Sequence, residues 1–165
     1  MGGEDYRTGE NDGQPFPRYC NALFSFDLEC IDGNGSYSEL IHDIGVLTGS
    51  DLGLVAVSDT FVDSDTGDGN GNLTLRLLTT LWQAEYTLRQ EDGWVDSRVL
   101  ALVAALPPTS GGRRLCYISM DNNAVLRYLP DAHIRGLYDL GVRLTLVEAG
   151  VPTGCVLSAV GELAE

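Results

Sequence analysis

The sequence predicts an α+β fold: a largely antiparallel sheet with two or three helices packed on one face, close to a ferredoxin-like core plan. Three observations predict it. Several short runs alternate apolar and polar residues, the period of a half-buried strand. Other stretches carry apolar residues at helical spacing. The two kinds do not alternate strictly, as a parallel βαβ sheet would require. The chain has 165 residues, 44% of them apolar. That suits one domain with a real core, and is too apolar for a disordered chain.

Residues 1–17, rich in Gly, Asp and Glu and closed by Pro15 and Pro17, read as a flexible acidic tail before a single domain over 18–148. From Ala22 to Cys30 every even position is apolar, which predicts a strand with one buried face. Asp32-Gly33-Asn34-Gly35 ends it with turn chemistry. Ser36 or Ser38 is then placed to cap a short helix carrying Leu40, Ile41 and Ile44, with Gly45 or Gly49 as its stop. Leu54 to Val57 suggests a short strand. Asp63 to Asn72 reads as a mobile acidic loop. Two strands follow, Leu73–Leu78 and Thr80–Arg89, the second with Trp82, Ala84, Tyr86 and Leu88 on one face.

Glu91-Asp92-Gly93 breaks the chain. Val95, Val99, Leu102, Val103 and Leu106 then form a helical stripe ended by Pro107-Pro108. Leu115–Met120 is a strand. Ala124–Gly141 carries a helix whose clearest start is Pro130-Asp131, with Ile134, Leu137 and Tyr138 inward. Val142–Val147 is the last strand of the domain proper. Residues 149–165 form an extension packed on or trailing the domain, with room for one more short element.

Asp plus Glu is 24, Lys plus Arg is 10, all of it Arg, and the net charge is -14. Such a surface repels phosphates and anionic lipid and steers cationic partners inward. Neither nucleic acid nor membrane is therefore an expected partner, and no apolar run is long enough to span a bilayer. With Met1 as the native start, the polar, acidic N-terminus predicts a cytoplasmic protein. The four cysteines (Cys20, Cys30, Cys116 and Cys155) then read as reduced thiols, and the sequons at Asn34 and Asn72 carry no meaning.

Two motifs suggest chemistry. Phe26-Asp27-Leu28-Glu29 resembles the first motif of proofreading-type 3′-5′ exonucleases, where two carboxylates on one strand face hold metal ions. Alternation puts Asp27 and Glu29 on one face. The later motifs are missing: five residues separate His133 from Asp139, and Asp121 stands too close to both. The acidic loop offers oxygen ligands for calcium at Asp63, Asp65 and Asp68, but the glycines fall out of EF-hand register. Leu28 to Asp32 comes close to a Leu-x-Cys-x-Glu peptide motif inside a predicted core strand. No cofactor and no metal site is expected.

The opening strand Ala22 to Phe26, Ser38-Glu39-Leu40-Ile41-His42-Asp43-Ile44-Gly45, Leu81-Trp82, a helix ending in Leu-Pro-Pro, and Leu137-Tyr138-Asp139-Leu140-Gly141 leading into Val142 to Leu146 together carry a resemblance. Over Tyr19 to Val147 the chain resembles an uncharacterised bacterial family catalogued as domain of unknown function 4279. The loop from Gly49 to Asn72 is longer and more acidic than the family pattern. Such proteins are similar in size and charge to immunity proteins that neutralise bacterial toxins.

The expected function is thus an acidic protein-binding module, of the immunity type, meeting a basic toxin domain by charge complementarity. Its expected contacts are Asp59, Asp63, Asp65, Asp68, Glu91 and Asp92. The alternatives are a metal-dependent phosphodiesterase using Asp27 and Glu29, and an accessory domain without a dedicated site.

Overall fold

Leu73, Leu75 and Leu77 alternate with Asn72, Thr74 and Arg76, and Ala84, Tyr86 and Leu88 alternate with Gln83, Glu85 and Thr87. Paired antiparallel in that register, the two runs put all their apolar side chains on one face. They are strands β5 (Gly71–Thr79) and β6 (Trp82–Gln90). The Thr79 hydroxyl closes the turn between them, accepting the Trp82 N–H at 2.9 Å. The computed structural model describes residues 10–11, 14–15, 23–63, 70–107 and 112–161.

In chain order the other strands are β1 (Glu10–Asn11), β2 (Gln14–Pro15), β3 (Phe24–Asp27), β4 (Leu54–Asp63), β7 (Arg113–Met120), β8 (Asn123–Pro130), β9 (Thr145–Leu146) and β10 (Val156–Ala159). The helices are α1 (Ser36–Thr48), α2 (Ser97–Ala105) and α3 (Asp131–Asp139). Among the described residues the strands form two four-stranded antiparallel sheets, β10-β6-β5-β4 and β3-β8-β7-β9, and the short β1-β2 ladder.

The α+β class and antiparallel pairing hold. The strands divide between two sheets where one was expected, and helices do not share one face. Leu115, Ala124 and Leu126 from the second sheet join the leucines of β5 and β6, with residues of α1 and α2, in one continuous core. The opposite face of the second sheet, with Cys116 and Leu129, is covered by Ile134 and Leu137 of α3 and by Leu144. The second sheet is thus covered on both faces.

Four boundaries differ from expectation, one of them the strand expected over Val142–Val147, which is β9 at Thr145–Leu146 alone. β3 stops at Asp27, although alternation of burial runs on to Cys30. β4 runs ten residues, to Asp63, and takes in much of the irregular stretch. Ala124–Pro130, assigned to a helical region, is strand β8; α3 does start at Asp131, as Pro130-Asp131 indicates. The C-terminal extension supplies β10, which pairs with β6 and belongs to the first sheet. Within the stretch expected as a tail, Glu10–Asn11 pairs with Gln14–Pro15.

The helices are tied to the first sheet through buried polar groups. Tyr37, fully buried at 0% exposure, donates its hydroxyl proton to Gln90 Oε1 at 3.0 Å and accepts the Asp96 N–H at 2.8 Å. Gln90, also buried, donates through Nε2 to the carbonyls of Trp94 and Glu91. Burial pushes the Tyr37 hydroxyl well above the usual phenol range, so it stays a neutral donor. Tyr37→Phe leaves the Gln90 carbonyl and the Asp96 N–H buried and unmatched. Urea unfolding should show a loss of about 1–3 kcal/mol; an unchanged midpoint would mean the junction contributes nothing.

Candidate functional site

The expected contacts must be judged by where the backbone places them. Asp63 ends β4, opposite Gly71 of β5, which is itself opposite Gln90 of β6. Asp63, Glu91 and Asp92 therefore stand at the same end of the first sheet, and all three are exposed. Gly71 is required there: a Cβ would meet the Val62 carbonyl oxygen at 2.4 Å. Asp65 and Asp68 belong to the loop between β4 and β5 but lie outside the described residues.

Loops from both sheets converge on this end. The Ile31 N–H donates to Gly93 O at 2.9 Å, and the Val95 N–H to Leu28 O at 2.8 Å. The Asp92 N–H donates to Asn70 Oδ1 at 3.0 Å, and the Phe61 N–H to Asn34 Oδ1. The chain from Leu28 to Asn34, with exposed Glu29 and Asp32, thus runs beside the Glu91–Val95 loop. Trp94, 39% exposed, lines a shallow groove with Glu91 and Asp96 and with Arg89 and Arg98. Trp82, the other tryptophan, is half-buried against the core.

Charge is segregated along the chain. Residues 23–63 hold eight Asp or Glu and no Arg or Lys. They build β3, the loop after it, α1 and β4, with Glu39 and Asp43 on the exposed side of α1. Five of the ten Arg fall between Arg113 and Arg143, on the second sheet and its α3 cover. At the acidic end Arg89 lies 3.8 Å from Glu91, but both side chains are mostly exposed, so the pair neutralises little.

Asp59 has a different office from its acidic neighbours. Its carboxylate accepts the Gly35 N–H at 2.7 Å, the Tyr37 N–H at 2.9 Å and the Ser38 hydroxyl at 2.9 Å. The N-cap of α1 is Gly35, left-handed at φ 92°, with no side chain of its own to offer. Neither Ser36 nor Ser38 is the cap. A carboxylate from a neighbouring strand satisfies the free N–H groups and the positive end of the helix instead. Alternation already puts Asp59 on the face of Val57 and Phe61, which points it inward.

The two-carboxylate reading needed Asp27 and Glu29 on one strand face. The strand ends at Asp27, whose Oδ1 accepts the Glu29 N–H at 2.9 Å in a local turn. Among the described residues no group of three or more His, Cys, Asp or Glu is disposed to hold a metal ion. Burial raises the thiols of Cys30, Cys116 and Cys155 above their ordinary value, the reverse of an activated nucleophile. Leu28, Cys30 and Ile31 pack into the core, so the short peptide motif around them is not presented to a partner. No helix among the described residues is long and apolar enough to cross a membrane.

With fold and site defined, the class is clear: an α+β protein with an acidic end built from loops of both sheets. Comparisons with protein-family models, curated proteins and solved structures find no match for this chain.

Two outcomes test the geometry. Asp59→Ala should lower stability by about 1–3 kcal/mol, because three donors lose a buried acceptor; a loss within error of zero in urea unfolding would remove Asp59 from the scaffold. Asp96, the N-cap of α2, accepts the Arg98 N–H at 2.8 Å and pairs with the Arg98 guanidinium. Burial raises its carboxyl, but the bonds from the Arg98 side chain and backbone outweigh this and hold it below its ordinary value. A depressed carboxyl stabilises the fold above its unfolded pKa, and that contribution is lost as pH falls through the folded value. Asp96→Ala should therefore cost about 1 kcal/mol at neutral pH and flatten the acid side of the stability profile. An acid limb identical to the parent's would contradict this.

Proposed function

We propose that this protein is a binding module of the immunity type, which neutralises a basic toxin domain by docking its acidic end into a cationic cleft. The observation that carries the reading is convergence. Loops distant in sequence bring Asp63, Glu91, Asp92, Glu29 and Asp32 to one end of the molecule, the end that also carries the partly exposed Trp94 and its neighbours Arg89 and Arg98. A tryptophan ringed by charge is the composition of an interface anchor: it fills a pocket, while the carboxylates set orientation and speed encounter. A cation meeting Trp94 would gain from the ring face as well as from the carboxylates. Solubility alone does not call for segregation, since scattered carboxylates serve it equally well.

Asp63, Glu91 and Asp92 are the contacts this reading keeps. Glu29, Asp32 and Trp94 join them. Asp59 acts through the scaffold, because its oxygens are taken by α1.

The test first asks whether a reading frame adjacent to this chain's own encodes a basic protein, and takes that protein as the partner. Association is followed by stopped-flow Trp fluorescence at low and high salt. The association rate should fall by at least about tenfold as screening shortens the reach of surface charge to a few ångströms. The triple variant Asp63→Asn, Glu91→Gln, Asp92→Asn should slow association without changing the melting temperature. Trp94→Ala should act mainly on dissociation, weakening binding by about 2 kcal/mol, roughly thirtyfold in Kd. Tight binding indifferent to salt and to the triple variant would reject the acidic end. No binding would leave the charge to solubility.

A further inference from the structure

We propose that the open edge of β10 is a self-association surface, where a second copy of this chain adds antiparallel to the first sheet. Among the described residues β10 pairs on one side only, with β6. The Val160 N–H donates to Leu81 O at 2.8 Å. In an antiparallel ladder hydrogen-bonded pairs alternate. Val156, Ser158 and Val160 therefore direct their backbone groups to β6, and Leu157 and Ala159 direct theirs away, to the open side.

Exposed edges are usually guarded by Lys, Pro, a bulge or an inward charge. β10 reads Val-Leu-Ser-Ala and has none of these. Residues 149–161 contain no charged residue at all, in a chain of net charge -14. The contrast with the other edge of the same sheet decides the occupant. β4 carries Asp59 and Asp63, has α1 packed beside it, and gives its Phe61 N–H to Asn34. A second copy brings the same negative charge wherever it lands. It is repelled at β4, whereas beside β10 the nearest charges, Glu85 opposite Val156 and its partner Arg76, offset one another.

The side chains fit a two-fold contact. Centring the pairing on Ser158 sets Leu157 opposite the second copy's Ala159, a pair whose backbone groups both face outward. The same register sets Val156 opposite the second copy's Val160. These valines are 68% and 50% exposed, and Leu81 beside Val160 is 50% exposed. Pairing sets each Val156 against the second copy's Val160, a cross-strand apolar contact on the exposed face. The inference is independent of the acidic end, which lies at the other extremity of β6.

Sedimentation equilibrium of the full chain tests it, run at moderate and high salt up to about 0.3 mM. A dimer is expected, unchanged or tightened by salt, since screening relieves like-charge repulsion. Ala159→Pro removes an outward N–H without touching the ladder to β6, and should raise the dimer Kd at least about tenfold. Should that variant melt early, Val156→Glu on the exposed face reads the same contact and should weaken the dimer by at least as much. A monomer at every concentration and salt overturns the proposal. So does a dimer that ignores the substitutions.

Discussion

One buried hydroxyl governs how the parts of this protein meet. Tyr37 belongs to the first turn of α1, Gln90 is the last residue of β6, and Asp96 opens α2. The hydroxyl joins all three with no water-facing atom. Such a group is worth little net when matched and costs much when not, so it fixes a geometry more than it adds stability. Here the geometry fixed is the exit of the chain from the first sheet. Gln90 also holds the carbonyls of Glu91 and Trp94. The acidic loop is therefore anchored from beneath, and its carboxylates and indole are presented on a backbone whose ordering has been met in folding. Asp59 performs the matching task at the start of α1. Preorganisation of this kind is what lets a small charged surface bind without a large entropic loss.

How much of this could be read in advance depends on how local each signal is. β6 was legible because only one of its faces is buried, so Trp82 to Gln90 keeps a clean period of two. α2 was legible from the Val99, Leu102, Val103 and Leu106 stripe, and α3 from Pro130-Asp131. β8 was not. Ala124-Val125-Leu126-Arg127-Tyr128-Leu129 lies in a sheet covered on both faces, which erases the alternation that marks a strand. Its hairpin turn, Asp121-Asn122, lacks glycine and depends on Asp121 adopting φ 54°, which few residues tolerate. β10 is four residues long and gains its identity from β6, a partner some seventy positions away.

The site divides in the same way. The acidic loops announced themselves by composition, but their meeting did not: Asp63 and Glu91 become neighbours only through the β4-β5-β6 register. Glu29 and Asp32 carry no such signal, because the sequence places them in a strand and its turn, remote from Glu91. Two backbone hydrogen bonds, from Ile31 and Val95, bring them alongside. Asp59 was included on charge alone. Its place between Val57 and Phe61 on an inward face was the available signal that it serves the fold.

The two edges of the first sheet are electrostatic opposites, and that separates two kinds of association. At the β4 edge and the adjoining loops, charge sets the outcome: attraction to a cation and repulsion of a copy both weaken as salt rises. At the β10 edge the nearest charges, Glu85 and Arg76, are paired with each other, and backbone pairing and valine contact set the outcome instead. Salt then acts only on the long-range repulsion between two chains of net charge -14. It must loosen a cationic complex while permitting self-pairing. Under the two proposals, a sheet whose edges respond to ionic strength in opposite senses would hold a partner at one end and a second copy at the β10 edge with no residue shared between the two surfaces.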